Sequence, residues 1–168
     1  MRVAVDYLFT YYPKYTGLSD KNSRILLDFK RFSSSAKVYV KNLLNNWIAE
    51  NIDRTHVVCT VPSCKASKTN HITVLMREIC QANPLLINGT NCIRKRFDTN
   101  SFCHSNYRNA GKLRRSLEIS QNLRGKHILL VDDITSSGLS MAVLKDMLYQ
   151  NDALSVTCLA IGQTYKLY

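Results

Sequence analysis

The sequence lacks the features that mark a secreted, zinc-stapled or membrane-spanning protein. None of its six cysteines forms a Cys-x-x-Cys pair, and structural zinc sites usually show closely paired ligands. No apolar run approaches the ~20 residues that a membrane-spanning helix needs. Residues 1–17 contain no small-residue cleavage site of the kind that ends a signal peptide. We therefore expect a cytoplasmic protein with free thiols and no membrane partner.

Acidic residues are also scarce. The chain has 12 Asp and Glu against 23 Lys and Arg, which gives a formal net charge of +11. A strongly basic surface attracts anions, so a nucleic acid or a polyphosphorylated small molecule is the expected kind of partner. A solvated basic surface without a specific ligand is the alternative. The composition also leaves a protein partner and a homo-oligomer open.

The length and the hydrophobic pattern predict one compact α/β domain. A chain of 168 residues fits a single domain of common size. Near-continuous apolar segments alternate with helical ones after residue 50, which predicts a parallel twisted sheet with helices on both faces. The predicted strands cover residues 56–61, 90–97, 127–133 and 154–162, and the predicted helices cover 69–83, 110–123 and 138–151.

The first fifty residues have a different pattern. They show a short strand at residues 3–9 and helical periodicity over 19–32 and 35–50. Ser19 and either Ser34 or Ser35 are the expected N-caps of these helices. We interpret residues 1–50 as an N-terminal helical hood over a core formed by residues 51–168.

The segment HILLVDDITSSGLSM, residues 127–141, joins the strongest predicted strand to a helix. The strand is expected to end at Val131, and Asp132 and Asp133 follow it directly. Ligands of parallel sheets bind beyond the carboxyl ends of the strands. This rule predicts that residues 62–68 and 132–140 lie at the same edge.

The residue types after Val131 suit a sugar phosphate. A helix start offers unpaired N–H groups and partial positive charge, hydroxyl side chains add donors, and Gly138 permits close approach to a phosphate. Carboxylates repel phosphate, so Asp132 and Asp133 are expected to accept hydrogen bonds from vicinal ribose hydroxyls or to hold Mg²⁺ through water. An ordinary strand–turn–helix, with Asp and Ser as caps, is the alternative.

The same segment resembles the phosphoribosyl-pyrophosphate (PRPP) motif of type I phosphoribosyltransferases. That motif has several apolar residues, two acidic residues, one apolar residue, hydroxyl residues, Gly, any residue, and Ser or Thr. The resemblance implies PRPP as substrate, Mg²⁺ as cofactor, and ribose contacts and catalysis at Asp132 and Asp133. It implies a phosphate-binding set of Thr135, Ser136, Ser137, Gly138, Leu139 and Ser140.

Two further segments are similar, more weakly, to orphan phosphoribosyltransferases related to competence proteins. VVCTVPSCKASK resembles their pyrophosphate loop, which implies a role for Lys65 and Lys68. IRKRFDTN resembles their mobile basic loop, which implies pyrophosphate contacts from Arg94 and Arg96, although a charged strand edge would look the same. The chain departs from this subgroup at residues 67–71, where Ser-Lys-Thr-Asn-His replaces the usual Arg-Gly-Phe-Asn-Gln.

The resemblance implies an enzyme that displaces pyrophosphate from C1 of PRPP with a nitrogen acceptor. Two alternatives stay open. One is a catalytically reduced component of a DNA-uptake, stress or phage-defence assembly, and the other is a PRPP-sensing regulator that binds nucleic acid. The acceptor itself is not predicted. Tyr11, Tyr12 and Tyr15 could stack on a base, but core or interface positions are favoured for them.

Overall fold

A computed structural model describes residues 4–18, 20–67, 70–98 and 110–165. Five parallel strands form its central sheet in the order β1-β7-β6-β2-β3, and β4 and β5 form a separate antiparallel pair. The strands are β1 (Asp6–Tyr11), β2 (His56–Thr60), β3 (Leu86–Asn88), β4 (Ile93–Lys95), β5 (Leu117–Ile119), β6 (His127–Thr135) and β7 (Ser155–Thr164). The helices are α1 (Lys21–Phe29), α2 (Ser34–Asn51), α3 (His71–Ala82), α4 (Ala110–Arg115) and α5 (Leu139–Gln150).

Helices cover both faces of the sheet, as predicted. The side chains of a strand alternate between the faces, so β6 directs Leu129 to one side and Leu130 to the other. Leu129 packs in a core with buried residues of α1, α2 and α3. Leu130 packs in a second core with α4, α5 and the β4–β5 pair. The parallel α/β architecture is therefore confirmed.

The first fifty residues share this sheet and its core. β1 runs parallel to β7 at the edge of the sheet, and α1 and α2 contribute Leu26 and Leu44 to the core that covers one face. The caps differ from the predicted ones: Asp20 accepts a hydrogen bond from the backbone N–H of Ser23 at 2.7 Å, and Ser33 caps α2. A boundary at residue 50 stays a prediction.

The segment after residue 110 was predicted wrongly as one long helix. α4 ends at Arg115, and β5 follows it at once. Ser116 explains the break, because its hydroxyl donates to the carbonyl of Leu113 at 2.6 Å and offers the backbone an alternative to helix. The backbone carbonyl of Ser116 accepts a hydrogen bond from the N–H of Arg96 at 2.8 Å, and this bond holds the chain beside β4. The short strand β3 was not predicted.

The strand order reverses between β2 and β6. The chain leaves β2 outward to β3, and later returns to place β6 on the other side of β2. The N–H of Val61 still bonds the carbonyl of Val131 at 2.9 Å, just past the end of β2. Crevices beyond the carboxyl ends of strands at such a reversal are the usual ligand sites of open α/β sheets. Within the described ranges, no helix has the length and apolar character to cross a bilayer.

Candidate functional site

The two adjacent aspartates lie inside β6, not after it. The strand was expected to end at Val131 but continues to Thr135, paired with β7 throughout. Because side chains alternate along a strand, Asp132 shares a face with Leu130 and Asp133 shares a face with Val131. Each carboxylate is fixed by the next backbone N–H. Oδ1 of Asp132 accepts from Asp133 at 2.8 Å, and Oδ1 of Asp133 accepts from Ile134 at 2.6 Å.

A lysine from the N-terminal segment joins this pair. Nζ of Lys30, the residue after α1, lies 3.0 Å from Oδ2 of Asp133. Asp132 has the opposite electrostatic situation, because burial and repulsion from Asp133 raise its pKa well above the ordinary value. The site therefore holds one carboxylate in an ion pair and one whose ionised form is disfavoured.

A cleft of about 330 Å³ opens in front of the aspartates. Its walls come from the loop after β2, the starts of α3 and α5, β4, and the end of α1. Asp132 and Asp133 border it together with Lys30, Lys95 and Ser140. The cleft thus brings the acidic pair of the motif to the strand-order reversal, with two cations beside it.

The hydroxyl-rich turn after β6 leads into α5 beside this cleft. Thr135 is buried at the end of the strand, and the Ser136 hydroxyl is 3.0 Å from that of Thr164 on β7. Ser137 is exposed, and its Oγ accepts the N–H of Leu139 at 3.3 Å. Of the residues implied for the phosphate, Ser140 borders the cleft, and the others run from the end of β6 through the turn to the start of α5.

Gly138 shapes the start of α5. It is the N-cap residue, with φ of 72° in the left-handed region, and as a glycine it supplies no side-chain cap of its own. A Cβ on Gly138 would meet no atom within 4 Å, so the space around it is open. A glycine at this φ avoids backbone strain. Ser137 accepts the N–H of Leu139, and the next N–H groups in the first turn of α5 can bind an anion.

A second cavity, of about 210 Å³, adjoins the cleft. Lys65 and Arg94, both implied as pyrophosphate contacts, line it together with Arg77 and Lys95. No carboxylate is among the described residues that line it. Four cations around one small polar cavity make it suitable for a multiply charged anion.

Arg77 and Lys95 were missed by the sequence analysis. Arg77 is held in place by Oγ1 of Thr90 at 3.0 Å and Oδ1 of Asn91 at 2.8 Å. Lys95 borders both cavities, and burial lowers its pKa despite the nearby Cys64 and Asp98. The period of two in β4 could have identified Lys95, because it shares a face with buried Ile93. No pattern in the sequence around Arg77 indicates that it belongs to the site.

Arg96 lines neither cavity. Its Nε is 3.4 Å from Oε2 of Glu118 on β5, and 58% of its side chain is exposed. It therefore suits the solvated strand-edge alternative better than a pyrophosphate contact. Lys68, the remaining cation of the prediction, lies outside the described residues.

Asn70 orders the loop between β2 and α3. Its Nδ2 donates to the carbonyl of Val61 at 2.8 Å, while its Oδ1 caps α3 by accepting the N–H of Thr73 at 3.0 Å. The N–H of Ala66 donates to Oδ1 of Asp98 at 2.7 Å. That bond ties the loop after β2 to the segment after β4, so the two predicted basic segments are neighbours.

The tyrosines considered for base stacking lie elsewhere. Tyr11 is half-buried and packs against the core, and the ring of Tyr12 is 5.1 Å from that of Tyr165. The side chain of Tyr15 lies outside the described part of the structure. For Tyr11, the structure agrees with the core position favoured from the sequence.

The donor set at the acidic pair fits a hydrated Mg²⁺. Carboxylate oxygens are ligands that Mg²⁺ prefers, commonly with several waters retained. Burial and repulsion from Asp133 raise the pKa of Asp132, and a bound cation would favour its ionised form. Lys30 would compete with Mg²⁺ for Asp133, because its ammonium already pairs with Oδ2 of that carboxylate.

Comparison with known proteins gives distant structural likenesses. No protein-family model matches the sequence, and no curated protein matches it significantly. The Trypanosoma cruzi hypoxanthine phosphoribosyl transferase structure is 16% identical with a TM-score of 0.42, over 83% of this chain and 64% of that one. A hypoxanthine-guanine-xanthine phosphoribosyltransferase is 15% identical with a TM-score of 0.41, over 79% of this chain and 68% of that one.

The chain thus spans about two thirds of the length of these structures. A likeness of this distance is too weak to carry a substrate, a reaction or a site residue over to this chain.

Proposed function

We propose that this chain binds PRPP with Mg²⁺ and displaces pyrophosphate from C1 of the ribose with a nitrogen acceptor, as type I phosphoribosyltransferases do. One observation carries the proposal. Asp132 and Asp133 border a cleft at the strand-order reversal, and the turn that follows them passes through left-handed Gly138 into the start of α5. Carboxylates that accept hydrogen bonds from ribose hydroxyls, followed at this spacing by N–H and O–H groups that donate to a phosphate, fit a ribose 5-phosphate.

Asp132 and Asp133 orient the ribose in this proposal. Their carboxylates accept hydrogen bonds from the 2′ and 3′ hydroxyls, and each is held in a fixed direction by a backbone N–H. The turn at residues 135–140 and the first N–H groups of α5 bind the 5′-phosphate. Such fixed contacts contribute to rate by positioning C1 for attack.

The leaving pyrophosphate would occupy the neighbouring basic cavity. Lys65, Arg77, Arg94 and Lys95 surround it, and they stabilise the charge that develops on pyrophosphate as the bond to C1 breaks. Asp132 and Asp133 would hold Mg²⁺, which would supply further positive charge to stabilise the leaving pyrophosphate. These cations are gathered around small cavities, which suits a polyphosphorylated small molecule better than a duplex nucleic acid.

The first experiment is a calorimetric titration of PRPP with Mg²⁺ into the protein. Asp132→Asn with Asp133→Asn is expected to lose binding, because both hydroxyl acceptors and the cation ligands change. Asp53→Asn is the matched control, since Asp53 is 73% exposed and pairs with Arg54 outside both cavities. No binding by the wild-type protein would refute the proposal.

Pyrophosphate release then tests the reaction itself. A panel of nitrogen acceptors is added to protein, PRPP and Mg²⁺, and released pyrophosphate is measured. Release with at least one acceptor supports a transferase. PRPP binding without release from any acceptor would instead support the catalytically reduced alternative.

A further inference from the structure

Two histidines lie side by side at the amino edge of the sheet, at the opposite end of the strands from the cleft. His56 begins β2 and His127 begins β6, and the two residues are register partners in the parallel pairing of these strands. Register partners project their side chains from the same face of a sheet. Their ring centroids are 5.5 Å apart, with an angle of 40° between the ring planes.

The hydrogen bonds of the two rings define which nitrogen of each is available. Nδ1 of His56 donates to the backbone carbonyl of Arg54 at 2.9 Å. Because a carbonyl can only accept, Nδ1 carries the proton and Nε2 of the neutral ring carries the lone pair. Nδ1 of His127 lies 2.7 Å from the hydroxyl of Ser155 on β7, which can accept in the same way. Such a bond at Nδ1 is the usual orienting contact of a histidine that binds a metal through Nε2.

Solvent reaches both Nε2 atoms. Within the described ranges, neither Nε2 bonds a protein group, and neither is a fully buried atom that lacks a partner. His127 is half-buried, so the pair is open on its side. The neighbouring cation of Arg54 is compensated, since its guanidinium donates two hydrogen bonds of 2.8 Å to the carboxylate of Asp53. A metal ion could therefore approach the two lone pairs.

The separation of the rings matches a tetrahedral metal site. A metal bonded at ~2.1 Å to a ring nitrogen lies about 3.2 Å from the centroid of that imidazole, so two imidazoles on one tetrahedral ion have centroids about 5.2 Å apart. The separation of 5.5 Å between His56 and His127 is close to this value. No group of three or more His, Cys, Asp or Glu side chains suited to a metal occurs in the described part of the chain, so water would complete the coordination.

We infer that His56 and His127 chelate a divalent transition-metal ion of the Zn²⁺ class through their Nε2 atoms. Neutral imidazole suits Zn²⁺, Cu²⁺ and Ni²⁺, whereas Mg²⁺ prefers oxygen ligands. The ion would join β2 to β6, the two strands between which the strand order reverses. Because the two ligands meet only in the folded chain, the ion stabilises the fold. The inference does not depend on the proposed function.

The test is a titration of Zn²⁺ alone into ¹⁵N-labelled protein, followed by long-range ¹H–¹⁵N NMR of the imidazole rings. Without Zn²⁺, His56 is expected in the Nδ1–H tautomer. Zn²⁺ is expected to shift the Nε2 resonances of His56 and His127 along one shared saturation curve. His127→Gln keeps a polar side chain at the half-buried position, and it is expected to abolish the shared site. Mg²⁺ at the same concentration is expected to leave both rings unchanged.

Thermal unfolding with Zn²⁺ gives an independent measure. At about 100 times its Kd, a ligand of the folded state raises the Tm of a domain of this size by roughly 5–10 °C. We expect this rise for the wild-type protein and for Cys64→Ser, which removes a half-buried free thiol that could compete for Zn²⁺. We expect no rise for His127→Gln. Ser155→Ala keeps both imidazoles but loses the contact that orients His127, so it should bind Zn²⁺ about 10- to 100-fold more weakly.

Several results would overturn the inference. Zn²⁺ that shifts neither ring, or only one of them, shows that the pair is not a chelate. A rise in Tm that persists in His127→Gln, or that disappears in Cys64→Ser, assigns the ion to other ligands. The Nε2–H tautomer of His56 in the metal-free protein contradicts the available lone pair, and wild-type Zn²⁺ affinity in Ser155→Ala contradicts the assigned orientation of His127.

Discussion

Replacing Lys30 by methionine is expected to strengthen Mg²⁺ binding at Asp132 and Asp133. Methionine keeps much of the apolar stem of lysine but removes the ammonium that lies 3.0 Å from Oδ2 of Asp133. Without that ammonium, the charge of the Asp133 carboxylate is no longer balanced by this ion pair. A divalent cation then no longer has to displace an ion-pair partner.

The size of the effect follows from the ion pair. Two unit charges 3.0 Å apart attract each other by about 1.4 kcal/mol in water and by about 5.5 kcal/mol at an effective dielectric constant of ~20. Solvent reaches both partners, since 36% of the Lys30 side chain and 19% of that of Asp133 are exposed. Screening and side-chain entropy therefore reduce the attraction to about 1 kcal/mol, slightly below the value for water, which corresponds to about fivefold in the dissociation constant of Mg²⁺.

The assay is a calorimetric titration of Mg²⁺ alone, without PRPP, at constant ionic strength. Lys37→Met is the matched control, because Lys37 also pairs with a carboxylate, that of Glu78, but does not border the cleft. It is expected to bind Mg²⁺ as the wild-type protein does. Unchanged or weaker Mg²⁺ binding by Lys30→Met would show that Lys30 does not compete with the cation.

Further predictions concern the phosphate turn, the basic cavity and the acidic pair. Gly138→Ala is expected to lower the free energy of unfolding by about 1 kcal/mol, measured by urea denaturation, because alanine is strained at φ of 72°; an unchanged urea midpoint would contradict this. Arg77→Gln should weaken pyrophosphate binding in a calorimetric titration, whereas Arg96→Gln should not, and the reverse order would contradict the assignment of the cavity. The raised pKa of Asp132 means that the folded state holds its proton more tightly than the unfolded chain, so ionisation destabilises the fold as pH rises above the ordinary value of 3.8. Asp132→Asn should therefore raise Tm at pH 7, with a gain that shrinks as pH falls towards 4; a gain independent of pH would point to another cause.

The elements that carry a local pattern could be predicted from the sequence. The continuous apolar run before Asp132 predicts β6, and the hydroxyl residues with Gly138 predict the turn into α5. The strand nevertheless extends to Thr135, two residues past the predicted range 127–133 and four past Val131. Its extension depends on pairing with β7, for example Thr135 with Gln163, and the turn residues do not reveal that partner.

The parts of the site that could not be predicted are contributed by distant segments. Lys30, His71 and Arg77 lie on helices of ordinary composition, and only the packing of these helices on the sheet brings them to the cavities. The two-residue period of β4, by contrast, places Lys95 on the face of buried Ile93, whereas the resemblance implied Arg94 and Arg96.

The pairing of β1 with β7 has a consequence for the order of folding. β1 is an edge strand whose neighbour in the sheet, β7, is the last strand of the described chain. During synthesis, β1 must wait for β7 before it can join the sheet, and contacts between segments so far apart in sequence form slowly. The α1 helix that follows β1 carries Lys30 to the cleft. A nascent chain should therefore assemble the acidic motif first and gain its N-terminal contacts in the last step of folding.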